Sequence, residues 1–353
     1  MQTKWVAVSI GALIVVAAGL TNWLSAPKVR HFSGPAQGST YNISYWTTQD
    51  VEQSQLQQLV QQELDRIDLV MSNYRPDSVI EQFNQQQTSE PQEVGTELTA
   101  LIETARDITQ ASAGCYDLTV KPMFDLWGFK ADKFNQPTAA QLEQTQQFVG
   151  MDKITSTTDG KLSKANPAMR VDVSSIAQGY TVKQLAMLLE QQGVTDYLVE
   201  VGGELQVRGK KPGQQAWKVA VEKPLPDNQQ LQKIITVLQD EPLSVMTSGT
   251  YRHYFDAAGQ RFSHVLDARI GAPVRHQTVS TTVLIEDATL GDGWSTAFLC
   301  LGSQQGLAVA NQLGLKVMFI DQQGEQLTEL LSDALQNTTA VKMESLQTQG
   351  ATQ

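Results

Sequence analysis

The segment YLVEVGGELQVR, residues 197–208, decides the fold class because it has the pattern of a β-hairpin. Two runs rich in Val and Leu are separated by Gly202 and Gly203, residue types favoured in the tight turn between two strands. A helical pattern precedes this hairpin at residues 178–192 and is stopped by Gly193. We therefore expect helices that pack on strands joined by hairpins.

The rest of the chain continues this mixture of strands and helices without internal repeats. Apolar residues recur at helical spacing in residues 51–71 and 97–111. Because strands and helices do not alternate regularly, an α+β fold is favoured over a doubly wound sheet, with mixed sheets and packed helices in one large domain. Further strands are predicted at residues 39–46, 169–173, 217–222, 243–247, 279–285 and 316–320, and further helices at residues 141–150, 294–301 and 304–313.

The first residues form a separate apolar segment. Residues 5–24 carry no charge, and a run of about 20 such residues is long enough to cross a bilayer. An uncleaved signal anchor is favoured over a cleaved signal peptide, because no small-x-small cleavage pattern precedes Pro27. The predicted division is a signal anchor or signal peptide at residues 1–25, a linker at 26–36, the large domain at 37–333 and a polar, frayed tail at 334–353.

Composition limits the classes of partner. The 353 residues include 41% hydrophobic residues, enough for a sizeable core, and a net charge of -11 argues against nucleic acid as a partner. An anionic ligand would need locally placed Lys, Arg or a metal. The two cysteines, Cys115 and Cys300, either form a disulfide in an oxidising compartment or are small buried apolar residues; we favour the second interpretation.

Residues 246–279, MTSGTYRHYFDAAGQRFSHVLDARIGAPVRHQTV, are a stronger candidate for a site than for a core. They combine hydroxyls and glycines with His253, His264 and His276, three of the four histidines in the chain. His264 follows a serine and lies three residues before Asp267, so it is a candidate general base. Arg252 is a candidate phosphate contact.

Three other segments carry candidate ligands. Asp292 and Thr296 share one face if a helix begins there, and a carboxylate beside a hydroxyl suits Mg²⁺; the alternative for Asp292 is a helix cap. Asp172 begins a strand-to-helix junction whose N–H groups suit phosphate, or is itself only a cap. Tyr74 and Arg75 either contact an aromatic or phosphate group or merely end the preceding helix.

These segments together resemble one protein family, the ApbE-type FAD:protein FMN transferases. The resemblance implies a T-fold-like domain and an enzyme that transfers the FMN part of FAD to a Thr or Ser hydroxyl of a target protein. The product would be a phosphoester, AMP would be released and Mg²⁺ would be required. The matching pieces occur in family order over about residues 37–320: MSNYRPDSVIEQFN, GCYDLTVKPMFDLWGF, DVSSIAQGYTVKQLA, YLVEVGGELQVRG, VEKP, TSGTYRHYF, SHVLDARIGAPV and GDGWSTA.

The resemblance also implies residue roles. His264 would take the proton from the acceptor hydroxyl. Mg²⁺ would be bound by Asp292 and Thr296 and by the main-chain carbonyl of Ser175, with Ser295 at a position where some relatives have an acidic ligand. The residues that would bind FAD are Gln37, Tyr74, Cys115, Tyr116, Asp117, Asp172, Gln178 and Leu266.

Acceptors and location follow from the same resemblance. The implied acceptors are subunits of membrane electron-transfer complexes, of the Na⁺-translocating NADH:quinone oxidoreductase or Rnf type. The implied location is the bacterial inner membrane, with the catalytic domain facing the periplasm. Two other functions compete with transfer: hydrolysis of FAD to FMN and AMP, and FAD binding by a non-catalytic, membrane-tethered protein.

Overall fold

The computed structural model describes residues 27–129, 133–225, 231–251, 254–257 and 260–345. The predicted anchor at residues 1–25 lies outside this part of the chain, as do Arg252 and His253. Within the described ranges, no helix has the length and apolarity needed to cross a membrane.

The described residues form an α+β fold, as predicted, but the strand pairs among them are all antiparallel, so the expected mixed sheets are absent from this part of the chain. The helices are α1 (Gln53–Met71), α2 (Val79–Gln85), α3 (Thr96–Ala111), α4 (Lys121–Trp127), α5 (Ala139–Gln146), α6 (Ser174–Gln191), α7 (Ala288–Leu313) and α8 (Asp333–Gln336). The strands are β1 (Arg30–Ala36), β2 (Ser39–Trp46), β3 (Gln92–Glu93), β4 (Ile154–Ser156), β5 (Lys161–Lys164), β6 (Asp196–Val201), β7 (Glu204–Arg208), β8 (Lys218–Glu222), β9 (Leu231–Val237), β10 (Leu243–Gly249), β11 (Tyr254–Ala257), β12 (Gln260–Ser263), β13 (Leu266–Asp267), β14 (Ala272–Pro273), β15 (Thr278–Ile285), β16 (Lys316–Gln323), β17 (Gln326–Leu331) and β18 (Val341–Ser345).

One antiparallel sheet of eight strands organises the domain. Its strand order is β1-β2-β6-β7-β10-β15-β16-β17. The predicted hairpin is present as β6 and β7, with Val201 opposite Glu204 across the turn. Because β7 pairs next with β10 and β10 with β15, the central strands come from distant parts of the chain.

The large sheet is covered on both faces. Side chains alternate along its strands, so Val283 packs in the core beneath α3 and α7, while Leu284 packs against the small sheet β18-β9-β8. On the helical side, α1 buries residues at helical spacing and lies against α6. The two helices that carry candidate ligands, α6 and α7, are therefore fixed against one rigid surface.

Two regions predicted to be irregular are ordered. The linker prediction for residues 26–36 is wrong from Arg30 onward, because β1 pairs with β2 along its whole length. Its inward side chains Phe32 and Ala36 are buried, and Pro35 is tolerated because β1 is an edge strand. The tail is likewise not frayed through residue 345, since α8 follows Ser332 and β18 pairs with β9.

The strand predicted at residues 169–173 is absent. This segment pairs with no strand among the described residues, and two of its main-chain N–H groups bond to the side-chain amides of two asparagines. Asn84 accepts from the N–H of Val171 at 2.7 Å, and Asn73 accepts from the N–H of Val173 at 2.7 Å. An extended backbone is thus satisfied without a sheet.

The two helices predicted at residues 294–301 and 304–313 belong to one longer element, α7, with a break between them at Gly302. Gly302 has φ 72° and ψ 169°, a conformation that favours glycine, and a Cβ there would lie 2.7 Å from the His276 ring. The break turns the second half of α7 while the first half keeps Asp292 and Thr296 against α6.

Candidate active site

Two adjacent cavities bring the predicted site residues together. The inner cavity has a volume of about 210 Å³ and is lined by residues of α6, α7 and β10. The outer cavity, of about 780 Å³, is lined by Gln37, Tyr74 and Lys121, among others. Of the predicted site residues, three line both cavities: Asp172, Gln178 and His264. The combined space is in the range of cofactor and nucleotide sites.

The candidate metal ligands lie where α6 crosses α7. Asp292 is 4% exposed, lines the inner cavity, and its Oδ2 accepts from the N–H of Gly179 at 2.7 Å. This close crossing requires glycine, because a Cβ at Gly179 would lie 2.3 Å from the carbonyl oxygen of Ala288. Thr296 lines the same cavity on the same helix. The predicted shared face of Asp292 and Thr296 is therefore present.

Ser295 has a different place. It is fully buried, does not line either cavity, and its Oγ bonds to Ser248 Oγ at 2.7 Å and to the carbonyl oxygen of Asp292 at 2.9 Å. Ser248 in turn contacts Thr296 Oγ1 at 3.1 Å. The geometry gives Ser295 a supporting position behind Thr296 and does not favour it as a direct ligand.

The donor set around the inner cavity fits Mg²⁺ by its chemistry. The Asp292 carboxylate and the Thr296 hydroxyl are hard oxygen ligands. Ser175, whose main-chain carbonyl is the third expected ligand, lines the same cavity. In the described residues, the one clustered group of His, Cys, Asp or Glu is Cys115, Asp267 and Cys300, whose sulfurs are joined to each other. The two sulfurs are therefore not available as thiolate ligands, so this group does not offer a site for a soft metal ion.

The amino end of α6 forms the floor between the cavities. Asp172 Oδ1 accepts from the N–H of Ser174 at 2.9 Å and from its hydroxyl. The N-cap of α6 is Val173, so Asp172 precedes the cap and the interpretation of Asp172 as the N-cap itself is wrong. Ser175 Oγ donates to the Tyr116 hydroxyl at 3.2 Å. Because α6 is 18 residues long and its first turn faces the cavities, this end suits a phosphate.

The segment with Cys115, Tyr116 and Asp117 forms another wall of the inner cavity. Burial raises the pKa of Tyr116 well above its usual range, so this phenol stays protonated. Asp117 is engaged by the protein itself: Oδ1 accepts from Thr119 N–H at 2.7 Å and Oδ2 from Met151 N–H at 2.9 Å. Asp117 therefore caps the short 3-10 helix at Leu118–Val120 and joins it to the 3-10 helix at Met151–Lys153.

The two cysteines form a disulfide, so their interpretation as unpaired apolar residues is wrong, although both are buried. Cys115 and Cys300 lie 6.0 Å apart between their Cα atoms and both line the inner cavity. The bond ties the wall that contains Asp117 to α7, the helix that carries Thr296. The sequence spacing of 185 residues gave no signal for this pairing.

His264 and Leu266 enter the site from the polar segment singled out in the sequence. His264 is half-buried and lines both cavities, and Leu266 lines the inner one. Asp267 forms a two-point ion pair with Arg269, whose Nη2 lies 2.7 Å from Asp267 Oδ2. The segment thus supplies a histidine at the junction of the cavities, on a loop fixed by its own ion pair.

Two residues at the rim of the outer cavity have features that suit ligand binding. Tyr74 is 81% exposed and presents its ring to the cavity, whereas Arg75 does not line it and pairs with Asp77 at 2.7 Å. Gln37 donates to Thr181 Oγ1 at 2.8 Å, while its buried Oε1 has no partner. An unpaired buried acceptor in a cavity wall fits a ligand that donates a hydrogen bond there.

Two cavity residues were not assigned a role from the sequence. Glu204 is 3% exposed, lines the inner cavity, and accepts from Thr247 N–H at 2.9 Å. Lys121 lines the outer cavity with a side chain only 3% exposed. In the sequence, Glu204 follows the turn at Gly202 and Gly203, and Lys121 precedes a proline, so neither residue stands out as a candidate ligand-binding residue.

A cavity lined by α6, α7 and β10, on one face of an antiparallel sheet, defines this chain as a single-domain α+β protein with a nucleotide-sized site. Sequence comparison gives the family: the sequence model of the ApbE family matches residues 37–319, and the chain belongs to that family.

The relatives carry one functional name. The FAD:protein FMN transferase of Vibrio cholerae is 34% identical over 307 residues, covering 86% of this chain and 91% of its own. The Escherichia coli K12 protein of the same name is 30% identical, covering 87% of this chain and 88% of its own.

Solved structures agree with this fold. The flavin transferase ApbE of V. cholerae has a TM-score of 0.79 at 33% identity, covering 88% of this chain and 99% of its own. The apo flavinyl transferase ApbE of Pseudomonas stutzeri has a TM-score of 0.80 at 32% identity, covering 88% of this chain and 96% of its own.

Proposed function

We infer that this chain is an FAD:protein FMN transferase, an enzyme that moves FMN from FAD to a target protein. The observation that carries the inference is the meeting of Asp292, Thr296 and His264 around one cavity in a member of the ApbE family. The curated relatives that cover most of the chain bear this name.

The reaction requires alignment and charge neutralisation more than covalent help from the protein. The acceptor is a Thr or Ser hydroxyl, whose oxygen forms a bond to the FMN phosphorus while the bond from that phosphorus to the bridging pyrophosphate oxygen breaks. The hydroxyl proton passes to His264, and AMP leaves with the bridging oxygen. The product is FMN held by a phosphoester.

The residues of the cavities divide this work. His264, at the junction, is the group positioned to accept the proton. Asp292, Thr296 and the Ser175 carbonyl would hold Mg²⁺, which when bound supplies positive charge to the phosphate oxygens. The N–H groups at the start of α6 add a fixed dipole beside the same phosphates.

The remaining lining residues hold the two ends of FAD. Tyr74 offers a ring face and the Gln37 amide oxygen an unused acceptor in the outer cavity. Leu266 and the wall from Cys115 to Asp117 give the inner cavity apolar surface and main-chain polar groups. Asp172 and Gln178 lie between, in contact with both cavities.

We place the enzyme at the bacterial inner membrane with its catalytic domain in the periplasm. The apolar residues 5–24 support an anchor, and the Cys115–Cys300 disulfide supports an oxidising compartment. The acceptors proposed there are subunits of the Na⁺-translocating NADH:quinone oxidoreductase or Rnf complexes.

The test uses the full-length chain in detergent with FAD and Mg²⁺, with and without an acceptor that carries an Asp-Gly-x-x-Gly-Ala-Thr segment. We expect the acceptor to gain the mass of FMN and to fluoresce in a denaturing gel, and a chelator to abolish both. An acceptor in which Ala replaces that Thr is the matched control. Conversion of FAD to FMN and AMP without labelling would contradict transfer and favour the hydrolase, and unchanged bound FAD would favour the binding protein.

A further inference from the structure

The cavities pose an electrostatic problem for an anionic ligand. The outer cavity is lined by three carboxylates, Asp68, Asp125 and Asp172, and the inner cavity adds Asp117, Glu204 and Asp292. Among the described residues that line either cavity, Lys121 is the one Lys or Arg. A pyrophosphate diester such as FAD carries negative charge into this acidic space, so the position of this cation matters.

Lys121 is held from behind by Glu81. Its Nζ lies 3.2 Å from Glu81 Oε1, and both side chains are buried, at 3% and 10% exposure. Burial opposes the ionisation of Glu81, but hydrogen bonds from Asn73 and Asn84 and the charge of Lys121 hold its pKa below its usual range. The pair is therefore a salt bridge between two charged, largely buried groups.

Glu81 is itself immobilised by the two asparagines that replace a strand at residues 169–173. Asn73 and Asn84 donate to Glu81 Oε1 at 2.8 and 2.9 Å, and each also donates to the carbonyl oxygen of Val171. The carboxylate that anchors Lys121 and the backbone that carries Asp172 are thus parts of one hydrogen-bonded network.

Lys121 faces Asp172 on its other side. Its Nζ lies 4.0 Å from Asp172 Oδ2, too long for a hydrogen bond but close enough for strong attraction in a partly buried site. Asp172 Oδ1 accepts from the Ser174 N–H at 2.9 Å, and the Asp172 N–H donates to the Leu118 carbonyl at 2.7 Å. The main-chain N–H and Oδ1 of Asp172 are therefore engaged by the protein, and Oδ2 is the oxygen beside Lys121.

We propose that Lys121 is a positioning residue for FAD: anchored by Glu81, it orients Asp172 Oδ2 to accept an N–H or O–H of the nucleotide and offsets the acidic lining of the outer cavity. This inference rests on the proposed function of the cavities as an FAD site. We expect Lys121 to affect the binding of FAD and not the rate of phosphoryl transfer. It lines the outer cavity, whereas the groups assigned to the transfer step line the inner cavity.

The test measures FAD affinity by quenching of flavin fluorescence, together with KM for FAD, kcat for transfer and thermal stability, on full-length protein. Lys121→Met should weaken FAD binding and raise KM about tenfold, with kcat nearly unchanged. It should also lower the melting temperature, because Glu81 is left buried without its cation. The double variant Glu81→Gln/Lys121→Met removes both charges and should regain stability while the FAD affinity stays low.

The matched control is a second buried pair whose residues line neither cavity. Lys233 lies 2.5 Å from Glu329 at the contact between the small and large sheets, with a side chain 7% exposed. Lys233→Met and Lys233→Met/Glu329→Gln should change stability in the same pattern without changing FAD affinity.

Two results would overturn the inference. One is a Glu81→Gln/Lys121→Met variant that regains wild-type FAD affinity together with stability, because Lys121 would then serve only to neutralise Glu81. The other is a Lys121→Met variant that keeps wild-type FAD affinity, because Lys121 would then contribute nothing to FAD binding. Since FAD binding is read without any acceptor, a wild-type chain that binds FAD but fails to label the acceptor refutes the proposed function and leaves this test intact.

Discussion

Removal of the Cys115–Cys300 disulfide should affect both stability and the site. We consider the double variant Cys115→Ala/Cys300→Ala, which replaces two buried sulfurs by small apolar side chains. The cysteines are separated by 185 residues, so the bond closes a very long loop in the unfolded chain. The chain-entropy relation for a loop of this length gives about 5 kcal/mol of stabilisation, near the upper end of measured effects.

The magnitude has a structural reason. Without the bond, the unfolded state gains the freedom to separate the segment after α3 from α7, while the folded state still holds both by packing. We therefore expect the free energy of unfolding to fall by about 2–5 kcal/mol while the fold persists.

The site should respond as well. Cys115 lies two residues before Asp117, and Cys300 lies on the helix that carries Thr296. Loosening this connection widens the inner cavity, so we expect KM for FAD to rise more than kcat falls.

The assay is urea unfolding of the wild type and the double variant, followed by tryptophan fluorescence and far-UV circular dichroism. Wild type unfolded in reductant is the control, because it breaks the same bond without substitutions. Equal free energies of unfolding for oxidised wild type and the variant would refute the reasoning, as would two alkylatable thiols in unreduced, denatured wild type.

The other predictions concern single side chains. His264→Ala should bind FAD normally and transfer FMN about 10²–10⁴-fold more slowly, as seen in single-turnover kinetics; an unchanged rate would remove His264 as the base. Asp292→Ala should lose Mg²⁺-dependent activity, and its melting temperature should fall because the Gly179 N–H loses its acceptor; activity that still responds to Mg²⁺ titration would contradict this. Lys164 is buried, and burial lowers its pKa from 10.5 to about 8, so the unfolded chain binds more protons between these values and stability should rise with pH there. Relative to Lys164→Met, the wild type should gain about 3 kcal/mol in unfolding free energy from pH 8 to 10.5, and parallel pH profiles would contradict the shift.

Local patterns were sufficient where one element buries one face. The apolar spacing of residues 51–71 and 97–111 predicted α1 and α3, and the glycine pair at residues 202–203 predicted the β6–β7 hairpin. The same patterns failed at residues 169–173, where an extended segment takes its hydrogen bonds from Asn73 and Asn84. Periodicity reports which side chains face a core, but not which group satisfies the backbone.

The candidate site shows the same division. The ordered motifs were enough to name the family and many of the residues that line the cavities, because each motif is short and chemically distinctive, but they did not point to Glu204 or Lys121. They could not show that Ser295 lies behind Thr296 or that Asp117 is used by neighbouring main chain, since both depend on partners from other elements.

The sequence by itself determined the family and most of the helices, because these follow from ordered motifs and local spacing, and the resemblance to the family supplied most of the residues that line the cavities. Only the tertiary structure decided that Cys115 and Cys300 are bonded, that β1 closes one edge of the sheet, and that Lys121 stands between Glu81 and Asp172. The disulfide and the Lys121 contacts join groups that are far apart along the chain, so local patterns do not reveal them. The strand β1 pairs with its neighbour β2, but its buried side chains pack with residues of α1 and α6 that only the tertiary fold brings there.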